Sequence, residues 1–251
     1  MPPSQVVAII AVALSLLLGP SNALAAEANV AVAANFAETA REIAAKFEAR
    51  TGHKAVLSYG SSGQFFTQIA NGAPFDVFLS ADAELPQRLV ADGLAVAGMR
   101  FTYATGRLVL WSATPGLVDG KGAVLRSNRF EKLAIADHRT APYGLAAIET
   151  MRMLGLHDRL GPKLVRGTSI TQAFQFVQTG AAELGFVALS QVVGEKGGSR
   201  WLVPAAHHAP IDQQAVLTRR GADNVAAKAF LQYLKGPEAK AIIRKYAYEV
   251  R

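Results

Sequence analysis

From Glu27 onward the chain alternates short apolar runs with stretches whose apolar positions recur every three or four residues. Short apolar runs bounded by Gly, Pro or polar residues read as buried strands, and the 3.6-residue spacing reads as helix. Asn29 to Ala34 is therefore predicted as a strand. Residues 36–50 are predicted as a helix, with Phe36, Ala40, Ile43 and Phe47 on one face and Gly52 at its end. Ala55 to Tyr59 follows as a strand, Gly63 to Ala70 as a helix, Phe75 to Ser80 as a strand, and Ala83 to Ala91 as a helix closed by Gly93. One long strand is expected over Phe101 to Ala113, then a looser stretch with Pro115, Gly116, Gly120 and Gly122.

The alternation then resumes. Leu133 to Ala136 is a predicted strand, and Leu145 to Leu154 a helix stopped by Gly155. Ile170 to Gln178 is a helix with Ile170, Ala173, Phe174 and Val177 on one face, and Leu184 to Ala188 a strand. Gln213 to Thr218 is a last apolar run before two helices, Ala222 to Leu234 and Pro237 to Tyr248, separated by Gly236-Pro237. Such alternation implies an α/β fold of mainly parallel strands flanked by helices, and its repetition implies two lobes. The expected boundaries are 27–105 plus 213–251 for lobe I and 106–212 for lobe II, with a two-strand hinge beneath a cleft.

Ahead of this, the apolar run Val6 to Leu18, the pair Gly19-Pro20 and the segment Ala23-Leu24-Ala25 have the layout of a cleaved export signal over 1–26. The run is too short to anchor in a bilayer, although no Lys or Arg precedes it. A composition 51% hydrophobic and 18% charged excludes general disorder. The absence of cysteine excludes disulfides and thiolate metal sites. The net charge of +7 lies entirely beyond residue 26 and gives a mild field that attracts anions. The Lys and Arg residues are scattered rather than clustered with aromatics, which argues against nucleic acid as a partner.

In sheets of parallel strands, ligands bind beyond the carboxyl ends of the strands, where helices begin. Five such junctions share a chemistry here. They are Ala33-Ala34-Asn35-Phe36, Tyr59-Gly60-Ser61-Ser62-Gly63, Leu79-Ser80-Ala81-Asp82, Ala141-Pro142-Tyr143-Gly144 and Gly167-Thr168-Ser169-Ile170. Asn35 with Glu38, and Ser169 with Gln172, are spaced as capping boxes, and Asp82 reads as a cap. Hydroxyls, one amide and backbone N–H groups abound at these junctions, with no Lys or Arg between strand end and helix start. That set suits a fully ionised anion, which offers only acceptors. A protonated oxyanion such as phosphate would also need an acceptor.

With these motifs in view, the chain resembles the periplasmic molybdate-binding protein family of ABC importers. The blocks that carry the likeness are Val30-Ala31-Val32-Ala33-Ala34-Asn35-Phe36, Tyr59-Gly60-Ser61-Ser62-Gly63 and, most specific of all, Gly72-Ala73-Pro74-Phe75-Asp76-Val77-Phe78-Leu79-Ser80-Ala81-Asp82. Pro162-Lys163-Leu164, Gly185-Phe186-Val187-Ala188-Leu189-Ser190 and Tyr233-Leu234-Lys235-Gly236-Pro237-Glu238-Ala239 extend it to the end of the chain. The resemblance implies a type II periplasmic binding protein, exported, monomeric and without cofactor. Its partners would be molybdate or tungstate, so that molybdenum is present only as the bound oxyanion, and a membrane permease with its ATPase. It makes Asn35 and Ser62 side-chain donors, with the Ala81 backbone N–H beside them, and assigns the backbone N–H groups of Tyr143 and Ile170 to the other lobe.

Two positions depart from the family pattern. Many members carry Ser where Asn35 stands, and many place a Tyr hydroxyl at Ala188. The site then has one donor fewer, or the Tyr143 hydroxyl or a water substitutes. Sulfate, phosphate and ferric ion are the competing solutes, though iron sites favour clustered Tyr, His and carboxylates, which the junctions lack. A ligand-sensing regulator of this fold would need a DNA-binding head. A secreted hydrolase would have to use Ser61 or Ser62 with His53 or His138, yet Gly60-Ser61-Ser62-Gly63 is one residue short of Gly-x-Ser-x-Gly. No metalloprotease helix or phosphate loop is present, and the five scattered histidines read as solvated or capping groups.

Overall fold

The computed structural model describes residues 25–250, so the expected export signal lies outside the described residues except for Ala25 and Ala26. Among the described residues, ten strands form two five-stranded mixed sheets. The first has the order β2-β1-β3-β10-β4, from Glu27–Ala33 (β1), Lys54–Gly60 (β2), Val77–Ser80 (β3), Ala95–Gly106 (β4) and Ile211–Thr218 (β10). The second has the order β7-β6-β8-β5-β9, from Leu108–Ser112 (β5), Leu133–Ala136 (β6), Leu164–Gly167 (β7), Leu184–Ala188 (β8) and Ser199–Leu202 (β9). In each sheet the three leading strands are parallel and one strand, β10 or β5, runs against its neighbours.

The helices are α1 (Ala37–Thr51), α2 (Ser62–Ala70), α3 (Glu84–Ala91), α4 (Pro142–Met153), α5 (His157–Leu160), α6 (Ile170–Gln178), α7 (Leu189–Val192), α8 (Val225–Lys235) and α9 (Pro237–Lys245). None among the described residues is long and apolar enough to cross a membrane. Helix α1 buries Thr39, Ala40, Ile43 and Phe47 along one stripe, and Gly52, at φ 73°, ends it in the left-handed region that glycine adopts without penalty. The two C-terminal helices complete this core, with Phe230, Leu231, Leu234 and Ile243 packed together with Val30, Val32, Ile43 and Phe47. A second core, built on Leu108, Leu110, Ile135, Phe186 and Val187, extends to Ala33, Ala34 and Ala81 at the strand ends of the first sheet. The two halves are therefore in contact across those ends.

The long strand expected over Phe101 to Ala113 is two strands in different sheets, broken at Arg107. A Cβ on Gly106 would lie 2.0 Å from the Tyr143 hydroxyl oxygen, so the chain changes sheets where only glycine fits. Gly106 pairs with Ile211 as the chain returns, which sets the two crossing strands side by side. Strands β7 and β9, absent from the expectation, are short edge strands with partly exposed residues and carry no clear apolar run. The last helix stops at Lys245 rather than Tyr248, because Ala247 turns at φ 61° and Tyr248 packs edge-on against Phe36.

Candidate anion site between the halves

Five strand-to-helix junctions meet at one cavity. Asn35, Ser61, Ser62 and Ala81 come from the first half and Ala141, Pro142, Tyr143 and Ile170 from the second, joined by Ala33, Ala34 and Gly60. All five positions singled out from the sequence, Asn35, Ser62, Ala81, Tyr143 and Ile170, line it. Among the described residues, no Lys, Arg, Asp or Glu does. The cavity is small, with an interior volume of about 10 Å³, roughly the space that one water molecule needs.

Ser62, Tyr143 and Ile170 stand in the first turns of α2, α4 and α6. Backbone N–H groups there have no intrahelical acceptor, and each helix adds the positive end of its dipole. The glutamines just inside the helices hold the turns in shape. Gln172 Oε1 accepts from Thr168 N–H at 2.7 Å while Ser169 Oγ accepts from Gln172 N–H at 3.3 Å. Gln64 Oε1 accepts from Ser61 N–H at 3.4 Å, whereas the buried Ser61 Oγ has no partner. The Ser62 hydroxyl oxygen accepts from Ala81 N–H at 3.0 Å. Ala81 thus supports Ser62, whose own hydrogen remains available to an acceptor in the cavity.

Asn35 does not cap a helix. It lies inside a 3-10 turn, Ala34–Phe36, whose start carries no side-chain cap. Its Nδ2 donates to Gln213 Oε1 at 2.9 Å and to the Tyr248 hydroxyl at 3.0 Å, which occupies both amide hydrogens. Gln213 is the centre of a buried uncharged network: its Oε1 also accepts from the Tyr103 hydroxyl at 3.1 Å, and its Nε2 donates to the Tyr143 hydroxyl at 3.2 Å. Tyr248 joins Ser190 Oγ at 2.9 Å, and Ser190 donates to the Asn35 carbonyl at 3.0 Å. Burial pushes the hydroxyls of Tyr103, Tyr143 and Tyr248 above the ordinary tyrosine range, so they stay protonated at neutral pH. The sequence had marked none of Gln213, Tyr103, Tyr248 and Ser190; a glutamine opening an otherwise apolar run was the signal available.

Ala188 is fully buried, does not line the cavity, and donates its N–H to Gln191 Oε1. The Tyr143 hydroxyl is bound within the network beside Asn35. Asp82 caps α3, accepting from Leu85 N–H at 2.7 Å, and faces a neighbouring depression with Arg88 and Arg139 rather than the cavity. Burial raises its carboxyl above the usual range. Arg139 is paired with Asp137 at 2.6 Å, and that hydrogen-bonded guanidinium lowers the Asp137 carboxyl to about 2. No histidine lines the cavity; His53 Nδ1 accepts from Ala26 N–H. Among the described residues no cluster of His, Cys, Asp and Glu could hold a metal ion.

Over residues 28–249 the sequence matches the bacterial extracellular solute-binding protein family. The chain belongs to that family. It is similar to the molybdate-binding protein ModA of Rhodobacter capsulatus, at 56% identity over 95% of this chain and 94% of the relative. ModA of Azotobacter vinelandii is 55% identical over 90% of this chain and 91% of its own length. A solved Azotobacter vinelandii periplasmic molybdate-binding protein superposes with a TM-score of 0.86 at 45% identity, covering 89% of this chain and 99% of that one. The two-sheet architecture is that of a periplasmic binding protein.

Proposed function

We propose that this protein binds molybdate, and tungstate as an ion of the same shape and charge, and delivers it to an ABC-type membrane importer. The observation that carries the reading is the meeting of five strand-to-helix junctions, from both halves, around one small cavity with an uncharged lining. A tetrahedral dianion offers acceptors only, and such a set replaces its water with donors and helix-dipole ends. The ligand contacts are assigned to the Ser62 hydroxyl, the backbone N–H groups at Tyr143 and Ile170, and Asn35, with Ala81 holding Ser62 in place. For Asn35 to donate through Nδ2 to the anion, its amide must turn over together with that of Gln213, so that Asn35 Oδ1 accepts from Gln213 Nε2 and the Tyr248 hydroxyl.

Membership of an extracellular solute-binding family and the identities to two ModA proteins support the same reading. The protein acts in the periplasm after cleavage of its N-terminal signal, as a monomer, with a permease and its ATPase as partners. It is a carrier, not an enzyme, and needs no cofactor beyond the oxyanion it transports. Asp82, the carboxylate nearest these junctions in the sequence, faces away from the cavity and offers hydrogen phosphate no acceptor there. Parallel calorimetric titration with molybdate, tungstate, sulfate and phosphate tests the assignment. Tight binding of the first two and far weaker binding of the others is expected; sulfate bound as tightly as molybdate would overturn the selectivity.

A further inference from the structure

Gly63 is the second residue of α2, next to Ser62 in the cavity wall. Its backbone does not call for glycine, because its φ is not positive. A Cβ built there meets as its three nearest neighbours Thr140 Cα at 2.9 Å, Thr140 O at 3.0 Å and Thr140 Cβ at 3.2 Å, all in the other half of the molecule. The Gly63 N–H donates to that same Thr140 carbonyl at 2.8 Å. Thr140 immediately precedes Ala141, Pro142 and Tyr143, the second-half wall of the cavity. The helix would be better served by alanine, since glycine is the poorer helix former. Glycine at this position is therefore needed by the contact between the halves and not by its own half.

We propose that Gly63 is the positioning residue for closure. Its missing side chain admits the Thr140 backbone, and its N–H latches the Thr140 carbonyl, which brings the Tyr143 and Ile170 donors onto the same anion as Ser62. This rests on the solute-binding reading above. With Gly63→Ala, the methyl group holds the 140–143 segment away, so ligand held by the first half is incompletely enclosed. Affinity falls because the closed state is less populated.

The test compares wild type, Gly63→Ala and Gly63→Val by thermal unfolding without ligand, by molybdate affinity and dissociation rate, and by the contraction in solution X-ray scattering on adding molybdate. Expected for Gly63→Ala are an unliganded midpoint equal to or above wild type and molybdate affinity roughly 10- to 100-fold weaker. Faster dissociation should account for most of that loss, with a smaller contraction. The valine variant should weaken binding further. Wild-type affinity and contraction in Gly63→Ala would overturn the latch alone, as would a clear loss of unliganded stability, which would place the role of Gly63 within its own half. A wild-type protein that neither binds nor contracts with molybdate, tungstate or sulfate would overturn the solute reading and the latch with it.

Discussion

Ser62 and Asn35 occupy matching places at the ends of neighbouring strands, yet their side chains are differently committed. The Ser62 oxygen is occupied by Ala81 N–H and its hydrogen is not, whereas both hydrogens of Asn35 Nδ2 are given to protein acceptors. On the proposed binding mode, Ser62→Ala removes a donor to a buried charged acceptor, at a cost of roughly 1–3 kcal/mol in binding. Calorimetry on this variant should show molybdate affinity lower by about 5- to 150-fold, and unchanged affinity would remove Ser62 from the site. The position of Ser62 was legible because its meaning is local: glycines and hydroxyls between a strand and a helix. The fixing of Asn35 was not legible. Its partners Gln213 and Tyr248 lie 178 and 213 residues away along the chain, and no spacing rule connects them, so a polar residue just past a strand was read as an ordinary cap.

At the level of elements, the apolar periodicity located most strands and helices, and failed where tertiary contacts decide. A continuous apolar run cannot reveal that it serves two sheets, and the steric reason for the break at Gly106 comes from Tyr143 in the other half. Asp82, by contrast, was read as a cap and is one, holding the start of α3 through Leu85 N–H. Its carboxyl is raised because burial disfavours the charged form. A folded-state value above the unfolded one, about 3.9, means a contribution to stability that is complete below that pH and is lost as pH rises through the folded value. Asp82→Asn keeps an acceptor for Leu85 N–H and offers Ser80 Oγ a donor, without the burial penalty. The variant should match or exceed the wild-type thermal midpoint at neutral pH, with an advantage that shrinks as pH falls toward about 4. Molybdate affinity should stay close to wild type, since the side chain faces away from the cavity. A variant that loses stability most at neutral pH would show that the ionised carboxylate is itself stabilising.

For the whole molecule, the positive charge and the binding site are separate. The net charge is +7, while among the described residues no charged side chain lines the cavity. The Asp137–Arg139 pair near the Thr140 contact further shows that an arginine in this region is engaged with a carboxylate. On the proposed reading the charge steers a dianion toward the cleft, and the uncharged donors rather than a cation hold it there. Salt should separate the two functions. Raising ionic strength from about 0.01 M to 1 M shortens the screening length from roughly 30 Å to 3 Å. The association rate of molybdate, measured by stopped flow, should then fall several-fold, as steered encounters do. The dissociation rate should stay within about twofold, because buried hydrogen bonds are screened little. A dissociation rate that climbed with salt as steeply as association fell would mean that a lysine or arginine holds the bound ion, against the uncharged cavity described here.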